Sequence, residues 1–196
     1  MTQASERSRT AARDAAQPYL NTWGPFSITR DAITPELTWR YCEVAEDPNP
    51  VYWDEEFAKQ TRFGRLVFPP QGIFAFTFQP WWSPDYVQQR IQEENKRLSD
   101  GVAPGNQIFA ILEELGYVVN TVTSTESEYV APFGPGDGRI KSRGMTVDVS
   151  EEHQTRPGKG VFVTSVTEYR TEVGDRLVAR SRLVLLRYDP TTPRQS

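Results

Sequence analysis

The C-terminal half of the chain contains four long segments rich in β-branched and apolar residues, separated by glycine-containing turns. They lie near residues 117–130, 138–150, 160–171 and 176–188. Long strands joined by short turns are typical of an antiparallel meander. In the last segment, Leu177, Ala179, Leu183 and Leu185 fall on one side and the arginines on the other, which predicts one face packed against another element.

The element expected to cover that face is a helix over residues 71–78, with the sequence QGIFAFTF, ended by Pro80. This segment is apolar on nearly every side, which favours a helix buried all round over one that lies on a surface. The predicted fold class is therefore α+β, with a curved antiparallel sheet wrapped around a central helix.

Two shorter helices are expected before it. Thr34 is suited to cap a helix that begins at Pro35 and ends before Pro48, because proline favours the first turn and breaks the interior. A second helix is expected from Asp54 to Lys59. Residues 1–22 are predicted to form a flexible tail, or, over residues 1–17, a helix that becomes ordered only against a partner. Residues 23–190 are predicted to form one domain, with residues 81–106 as a helical insertion within it.

Composition excludes several classes of function. A chain of 196 residues with a net charge of -4 fits one domain and lacks the positive field that holds a nucleic acid or an anionic membrane. No apolar run approaches the ~18 residues of a membrane-spanning helix, so we expect a cytoplasmic protein. One cysteine, Cys42, and one histidine, His153, cannot form a disulfide or an ordinary zinc site, and no metal is expected.

A motif at residues 41–70 carries more specific information. Its sequence is YCEVAEDPNPVYWDEEFAKQTRFGRLVFPP, and FGPGD at residues 133–137 and GVFVT at residues 160–164 follow downstream. Together these segments resemble the MaoC-like hydratase and dehydratase family, closest to its FAS1-like or N-terminal MaoC dehydratase branch. The resemblance runs from Trp23 to Tyr188 without the 81–106 segment, and it implies a single hot-dog fold.

The resemblance also implies a chemistry. In active members an aspartate and a histidine on this loop activate a water molecule, which adds to the β-carbon of an enoyl thioester. Aligned with that motif, Asp47 stands at the aspartate, Asn49 at the asparagine and Asp54 at the trailing aspartate. Tyr52 stands where the histidine is expected. Asp47, Asn49 and Tyr52 are thus the candidate catalytic positions of a degenerate motif.

Tyr52 departs from the family pattern in its ability to act as a general base. A tyrosine titrates near pH ~10, so its phenol is protonated at neutral pH and is a poor base. His153 lies in a predicted turn about a hundred residues away and is expected to be a solvated loop residue. Asp47 and Asn49 also have a simpler interpretation, because both residue types cap turns before proline.

The resemblance implies substrate contacts at the start of the central helix, where backbone N–H groups stabilise the thioester oxygen in active members. The candidate substrate-binding residues at this helix start are Pro70, Gln71, Gly72, Ile73 and Phe74. Glycine allows a ligand to approach the backbone closely, and the first N–H groups of a helix lack partners within it. No cofactor is expected beyond the acyl-CoA or acyl-carrier thioester itself.

Three functions remain open from the sequence. The first is a histidine-lacking subunit of a heteromeric enoyl-CoA hydratase or 3-hydroxyacyl thioester dehydratase of lipid metabolism, which shapes the acyl pocket beside a histidine-bearing MaoC-like subunit. The second is a self-sufficient homodimeric hydratase that uses Asp47. The third is a non-catalytic module that binds acyl thioesters. All three predict a dimer or higher oligomer, because hot-dog sheets commonly extend across an interface.

Overall fold

The computed structural model describes residues 3–77, 82–98 and 103–193. The helices are α1 (Gln3–Ala16), α2 (Pro35–Ala45), α3 (Glu55–Lys59), α4 (Ile73–Thr77), α5 (Asp85–Leu98) and α6 (Pro104–Glu114), with short 3₁₀ helices at Gln17–Tyr19, Pro50–Tyr52 and Pro70–Gly72. The strands are β1 (Ser27–Ile28), β2 (Val119–Tyr129), β3 (Ile140–Val149), β4 (His153–Gln154), β5 (Lys159–Thr171) and β6 (Leu177–Asp189).

The strands form one antiparallel sheet in the order β1-β3-β5-β6-β2, and β4 pairs with β5. All four predicted long strands are present, and the α+β hot-dog prediction is confirmed. The turns that join them use left-handed glycines at Gly138 and Gly174, where residues with a side chain would be strained. One edge of the sheet is β1, and the other is β2.

Two helices pack on the same face of the sheet. Ile73 of α4 belongs to a buried cluster with Tyr169, and Ile108 of α6 belongs to a second cluster with Val163. Val163 and Tyr169 lie on one side of β5, because they are separated by an even number of residues without an intervening register shift. The helices therefore share the inner face, with α4 near one end and α6 near the other.

Helix α4 agrees only in part with the prediction of a central helix buried on every side. Ile73 is fully buried, but Ala75 on the same short helix is exposed. The predicted end of the helix at Phe78 and Pro80 lies outside the described residues. Helix α6, which the sequence analysis did not predict, covers the other end of the inner face of the sheet. Its signal was present, because Pro104 suits a first turn and Ile108 and Leu112 follow at helical spacing.

The N-terminal segment also differs from the flexible tail that the sequence predicted. It forms helix α1, whose Ala12 and Ala16 are buried against the cluster that contains Ile108. The N–H of Glu152 donates to the carbonyl of Arg9, and Arg13 pairs with Glu151 at 3.1 Å. Small side chains let this helix approach closely, so a segment of low hydrophobicity still finds a packed position.

Helix α5 covers the β1 edge of the sheet. The side-chain oxygen of Asn95 accepts the backbone N–H of Ile28 at 3.0 Å, and Glu94 forms two hydrogen bonds with Arg139 at 2.6 and 2.8 Å. Arg139 also binds Glu172, which directly follows β5. An N–H that an added strand would use is therefore occupied, which protects this edge from further pairing.

Candidate active site

The predicted motif forms a compact loop between α2 and α3. Glu46 caps the C-terminus of α2 in a left-handed conformation with φ 51°. The carboxylate of Asp47 accepts the N–H of Asn49 at 3.0 Å, and the side chain of Asn49 accepts the N–H of Val51 at 3.2 Å. Asp54 caps α3 by accepting the N–H of Phe57. The acids of the motif thus have turn-capping roles in this structure, as the simpler interpretation expects.

Tyr52, at the position of the expected histidine, is half-buried against a small apolar cluster that includes Val51 and Leu66. Burial raises its pKa above the ordinary value of 10.0, and the charge of Asp47 raises it further. Both causes favour the protonated phenol. At neutral pH, Tyr52 is therefore even less ionised in the folded chain than a free tyrosine, so even less phenolate is present to accept a proton.

The same carboxylate influences two residues of α2. Burial and then Asp47 raise the pKa of the Cys42 thiol to about 11, so this fully buried cysteine is an unreactive core residue. Burial, then Tyr129, Cys42 and Asp47, raise the pKa of Tyr41. The loop therefore surrounds Asp47 with the neutral, protonated side chains of Tyr41, Cys42 and Tyr52.

The start of α4 is closed in this structure. The N–H of Gly72 donates to the carbonyl of Pro69 at 2.9 Å, and the N–H of Ile73 donates to Pro70. The rings of Phe68 and Tyr41 lie so close to Gly72 that an added Cβ would be 2.5 Å and 2.8 Å from them. The two amides predicted to hold a thioester oxygen are thus bonded within the turn, and two aromatic rings lie close to Gly72.

The structure brings most of the predicted site residues into one region. Pro70 and Gln71 form the 3₁₀ turn that leads into α4, with Gln71 exposed, and Phe74 packs edge-to-face on Tyr169 at 5.9 Å. Tyr41 links this turn to the motif loop through its ring contact with Phe68 at 5.1 Å. Asn49 is an exposed residue of the motif loop. The predicted substrate contacts stay predictions.

The FGPGD turn holds the segment that leads into the site. Asp137, whose side chain is 9% exposed, accepts hydrogen bonds from Arg65 at 2.6 Å, from Arg176 at 2.9 Å and from the N–H of Gly134 at 2.9 Å. Burial alone would raise the pKa of Asp137, but these hydrogen bonds outweigh it and hold the pKa below 3.8. The resulting stabilisation is present at neutral pH and is lost as the pH falls through this depressed pKa.

Backbone contacts between the FGPGD turn and residues 66–68 complete this arrangement, which we call the clamp. The N–H of Phe68 donates to the carbonyl of Phe133 at 2.7 Å. Gly134 lies directly on the backbone of Leu66 and Val67, where an added Cβ would be 2.8 Å from both. The turn between β2 and β3 therefore fixes the position of the chain that enters α4.

The only histidine of the chain lies far from this region. His153 is exposed on β4 and pairs with Gly160 on β5. Tyr169, which contacts α4, is nine positions farther along β5, a separation of about 30 Å. The imidazole cannot act at the motif loop of its own chain.

The described part of the chain contains neither a cluster suited to a metal ion nor a helix suited to cross a membrane. Within residues 3–77, 82–98 and 103–193, no group of three or more His, Cys, Asp or Glu side chains is arranged to hold a metal ion. In the same ranges, no helix has the length and apolar content needed to cross a membrane.

Sequence reasoning missed several residues that shape this region. Tyr41 on α2 and Tyr129 at the end of β2 are far apart in the sequence, and no local pattern places their rings near one site. Asp137 was visible as the end of the FGPGD motif, but its arginine partners are remote in the sequence. The only sequence signal for this site was the position of the aspartate directly after a glycine-rich turn.

The comparisons with known proteins identify the family. Residues 24–131 match the MaoC-like domain, which is more than half of the chain. With the antiparallel sheet and the loop described above, this defines a hot-dog protein, and the chain belongs to the MaoC-like domain family.

Among characterised sequences, a probable enoyl-CoA hydratase alpha subunit from Thermomonospora curvata is 30% identical over 85% of this chain and 48% of that protein. A 3-oxo-4,17-pregnadiene-20-carboxyl-CoA hydratase alpha subunit from Mycobacterium tuberculosis is 24% identical over 83% of this chain and 47% of that protein. The chain thus spans about half the length of these relatives.

Among solved structures, the ChsH1-ChsH2 complex from Mycobacterium tuberculosis contains a chain with a TM-score of 0.73 and 21% identity. The match covers 95% of this chain and 94% of that one. At this identity the likeness establishes the fold.

Proposed function

We propose that the chain is the histidine-lacking hot-dog subunit of a heteromeric enoyl-CoA hydratase or 3-hydroxyacyl thioester dehydratase. In this function it shapes the acyl pocket, while a second MaoC-like subunit supplies the catalytic histidine. The observation that carries the proposal is Tyr52, a protonated phenol at the position where the family has a base.

The chemistry explains why this single position matters. Hydration adds the water oxygen to the β-carbon and a proton to the α-carbon of the thioester, so the reaction needs a base, an acid and no external oxidant or cofactor. A positioned general base contributes about 10² to 10⁴ in rate and works best with a pKa near the operating pH. Tyr52 cannot meet that requirement, and His153 is out of reach.

The state of α4 supports the same proposal. Stabilising the thioester oxygen requires N–H donors aimed at it in advance. Here the N–H groups of Gly72 and Ile73 are bonded within the turn, and the ring of Tyr41 lies close to Gly72. Both halves of the chemistry, proton transfer and oxyanion stabilisation, therefore need a second subunit.

The names of the relatives support a multi-subunit assembly. Two are hydratase alpha subunits and the similar solved structure is a complex of two proteins. By analogy, the substrate class proposed for this chain is an enoyl-CoA thioester.

The sheet offers one place for the partner. At the β1 edge, Asn95 and helix α5 occupy the position of an added strand. At the other edge, residues 120–130 are all exposed, including Val122 at 59% and Tyr129 at 42%. A long exposed edge strand is a template for pairing with another chain. The partner strand is therefore proposed to add to β2.

The test is reconstitution. The chain is expressed alone and together with a histidine-bearing MaoC-like subunit, and co-purification and the hydration of an enoyl-CoA are measured for each sample. The complex is expected to form and to hydrate the thioester about a hundredfold or more faster than the isolated chain, because only the complex contains a base. Full activity of the isolated chain would instead support the self-sufficient hydratase. Saturable acyl-CoA binding with no product in any combination would support the binding module.

A further inference from the structure

The inner face of the sheet contains a buried arginine next to α6. Arg187 pairs with Val161 between β6 and β5, and Val161 belongs to the buried cluster of α6. The Nε of Arg187 donates to the carbonyl of Tyr117 at 3.0 Å, and its guanidinium lies over the ring of Phe109, 4.9 Å from the ring centre. The residue is only 6% exposed, so its charge is largely removed from water.

This arginine lacks the ion pair that a buried charge normally has. Three charged residues of the described chain are less than a tenth exposed: Asp137, Glu168 and Arg187. Asp137 is bound by two arginines, and Glu168 pairs with Arg143 at 2.7 Å. Within residues 3–77, 82–98 and 103–193, no carboxylate forms an ion pair with Arg187. Arginines are rarely buried without such a partner, because an uncompensated charge is costly to remove from water.

The acids of this region do not compensate the charge. Glu152 is engaged by the hydroxyl of Tyr117 at 2.8 Å and by Lys159 at 3.6 Å. The charge of Glu113 on α6 acts on Arg187, but burial has the larger effect and lowers the pKa of Arg187 below its ordinary value. The folded chain therefore leaves part of a buried positive charge uncompensated.

The two terminal nitrogens of Arg187 are open to an incoming group. Among the described residues that are not exposed, Nε1 of Trp39 is the one side-chain nitrogen or oxygen that is fully enclosed and has no hydrogen bond. The Nη atoms of Arg187 also make no hydrogen bond, so they keep some contact with solvent. A guanidinium presents its N–H groups to a carboxylate in a two-point geometry.

The surface beside Arg187 has the character of a protein interface. Leu115 and Val118, on either side of Tyr117, are 45% and 51% exposed. Asn120, which pairs with Arg187 between β2 and β6, is exposed on the edge strand. Exposed apolar side chains around an arginine are typical of the centre of a protein interface. This surface also continues the β2 edge, where the partner strand is proposed to add.

We propose that Arg187 binds the carboxylate of an Asp or Glu side chain of the second hot-dog subunit. The carboxylate supplies the charge that the chain itself lacks, and Leu115 and Val118 shield the ion pair from water. This inference rests on the proposed function and adds to it a contact that selects the partner. A hot-dog subunit without an acid at this place would leave the arginine buried and unpaired, which is unfavourable.

The test measures the dissociation constant of the chain and the histidine-bearing MaoC-like subunit by analytical ultracentrifugation. Arg187→Met removes the charge and keeps an unbranched side chain beside Phe109. It is expected to weaken assembly about a hundredfold, because the carboxylate of the partner would be buried without a counter-charge. The isolated variant is expected to keep the wild-type urea midpoint, since removal of an uncompensated buried charge offsets the loss of one hydrogen bond.

Arg62→Met is the matched control. The guanidinium of Arg62 also lies 4.9 Å from the centre of an aromatic ring, that of Phe63. Arg62 is exposed, however, and it follows α3 in the chain, outside β2, β6 and α6. This variant is expected to assemble with the wild-type dissociation constant.

The partner provides a second measurement, which does not depend on the folding of an Arg187 variant. Each Asp and Glu of the histidine-bearing subunit is changed in turn to Asn or Gln, and assembly with the wild-type chain and with Arg187→Met is measured. One of these changes is expected to weaken assembly with the wild-type chain about a hundredfold. The same change is expected to weaken assembly with Arg187→Met less than about threefold, because the ion pair is already absent.

The outcomes separate the two proposals. If the wild-type complex does not form, the proposed function and this inference both fail. If the complex forms and hydrates the thioester, but no acid of the partner is coupled to Arg187, the inference alone fails. A lower urea midpoint in Arg187→Met with unchanged assembly would show that the arginine stabilises only its own chain, which would also overturn the inference.

Discussion

Gly134→Ala is expected to destabilise the chain by about 3 kcal/mol, since an added methyl group in a fully packed site forces its neighbours to move. The new Cβ would lie 2.8 Å from the carbonyl oxygen of Leu66 and from the Cα of Val67, and 3.1 Å from the nitrogen of Phe68. These are backbone atoms, which cannot rotate away as the end of a side chain can. The measurement is the free energy of unfolding from urea denaturation.

Gly144→Ala is the control for this prediction. Gly144 lies inside β3, and the nearest atom to its added Cβ would be 3.7 Å away, an ordinary contact. Alanine in a strand interior is at least as stable as glycine, so this variant is expected to match the wild type within about 0.5 kcal/mol. Equal stability of both variants would show that the FGPGD turn does not clamp the segment before α4.

Val122→Glu is expected to weaken assembly with the partner subunit about a hundredfold, because it places an unpaired charge at the proposed interface. Val122 is 59% exposed on β2, so the isolated chain is expected to keep its fold and stability. The hydration rate at subunit concentrations near the wild-type dissociation constant is expected to fall in parallel. Analytical ultracentrifugation and activity titration measure the two effects.

Val173→Glu is the matched control. Val173 has a similar exposure of 56% but lies in the turn between β5 and β6, away from the β2 edge. It is expected to assemble normally. Loss of assembly in Val173→Glu with normal assembly in Val122→Glu would place the interface elsewhere.

The sequence predicted the sheet well because its signals are local. Alternation in β6 and the glycines at positions 138 and 174 depend on neighbouring residues alone. The cap at Thr34 is equally local, and its side chain accepts the N–H of Leu37 as expected.

The missed features depend on contacts between distant residues. Helix α1 has little apolar character, and its packing depends on contacts of Ala12 and Ala16 with the cluster of α6 and on the contacts of Arg9 and Arg13 with residues 151–152. The ion pairs of Asp137 with Arg65 and Arg176 join three separate loops. The motif loop could be placed from the sequence, whereas the aromatic cover over Gly72 could not.

The central claim is that the motif loop of this chain transfers no proton, and the reconstituted enzyme tests it most directly. Tyr52→Phe removes the hydroxyl group and keeps the ring that packs beside Val51. The measurement is kcat for hydration of an enoyl-CoA by complexes that contain the wild-type or the variant chain. We expect equal kcat values within about twofold, whereas loss of a general acid or base would reduce kcat by about 10² to 10⁴ and contradict the account.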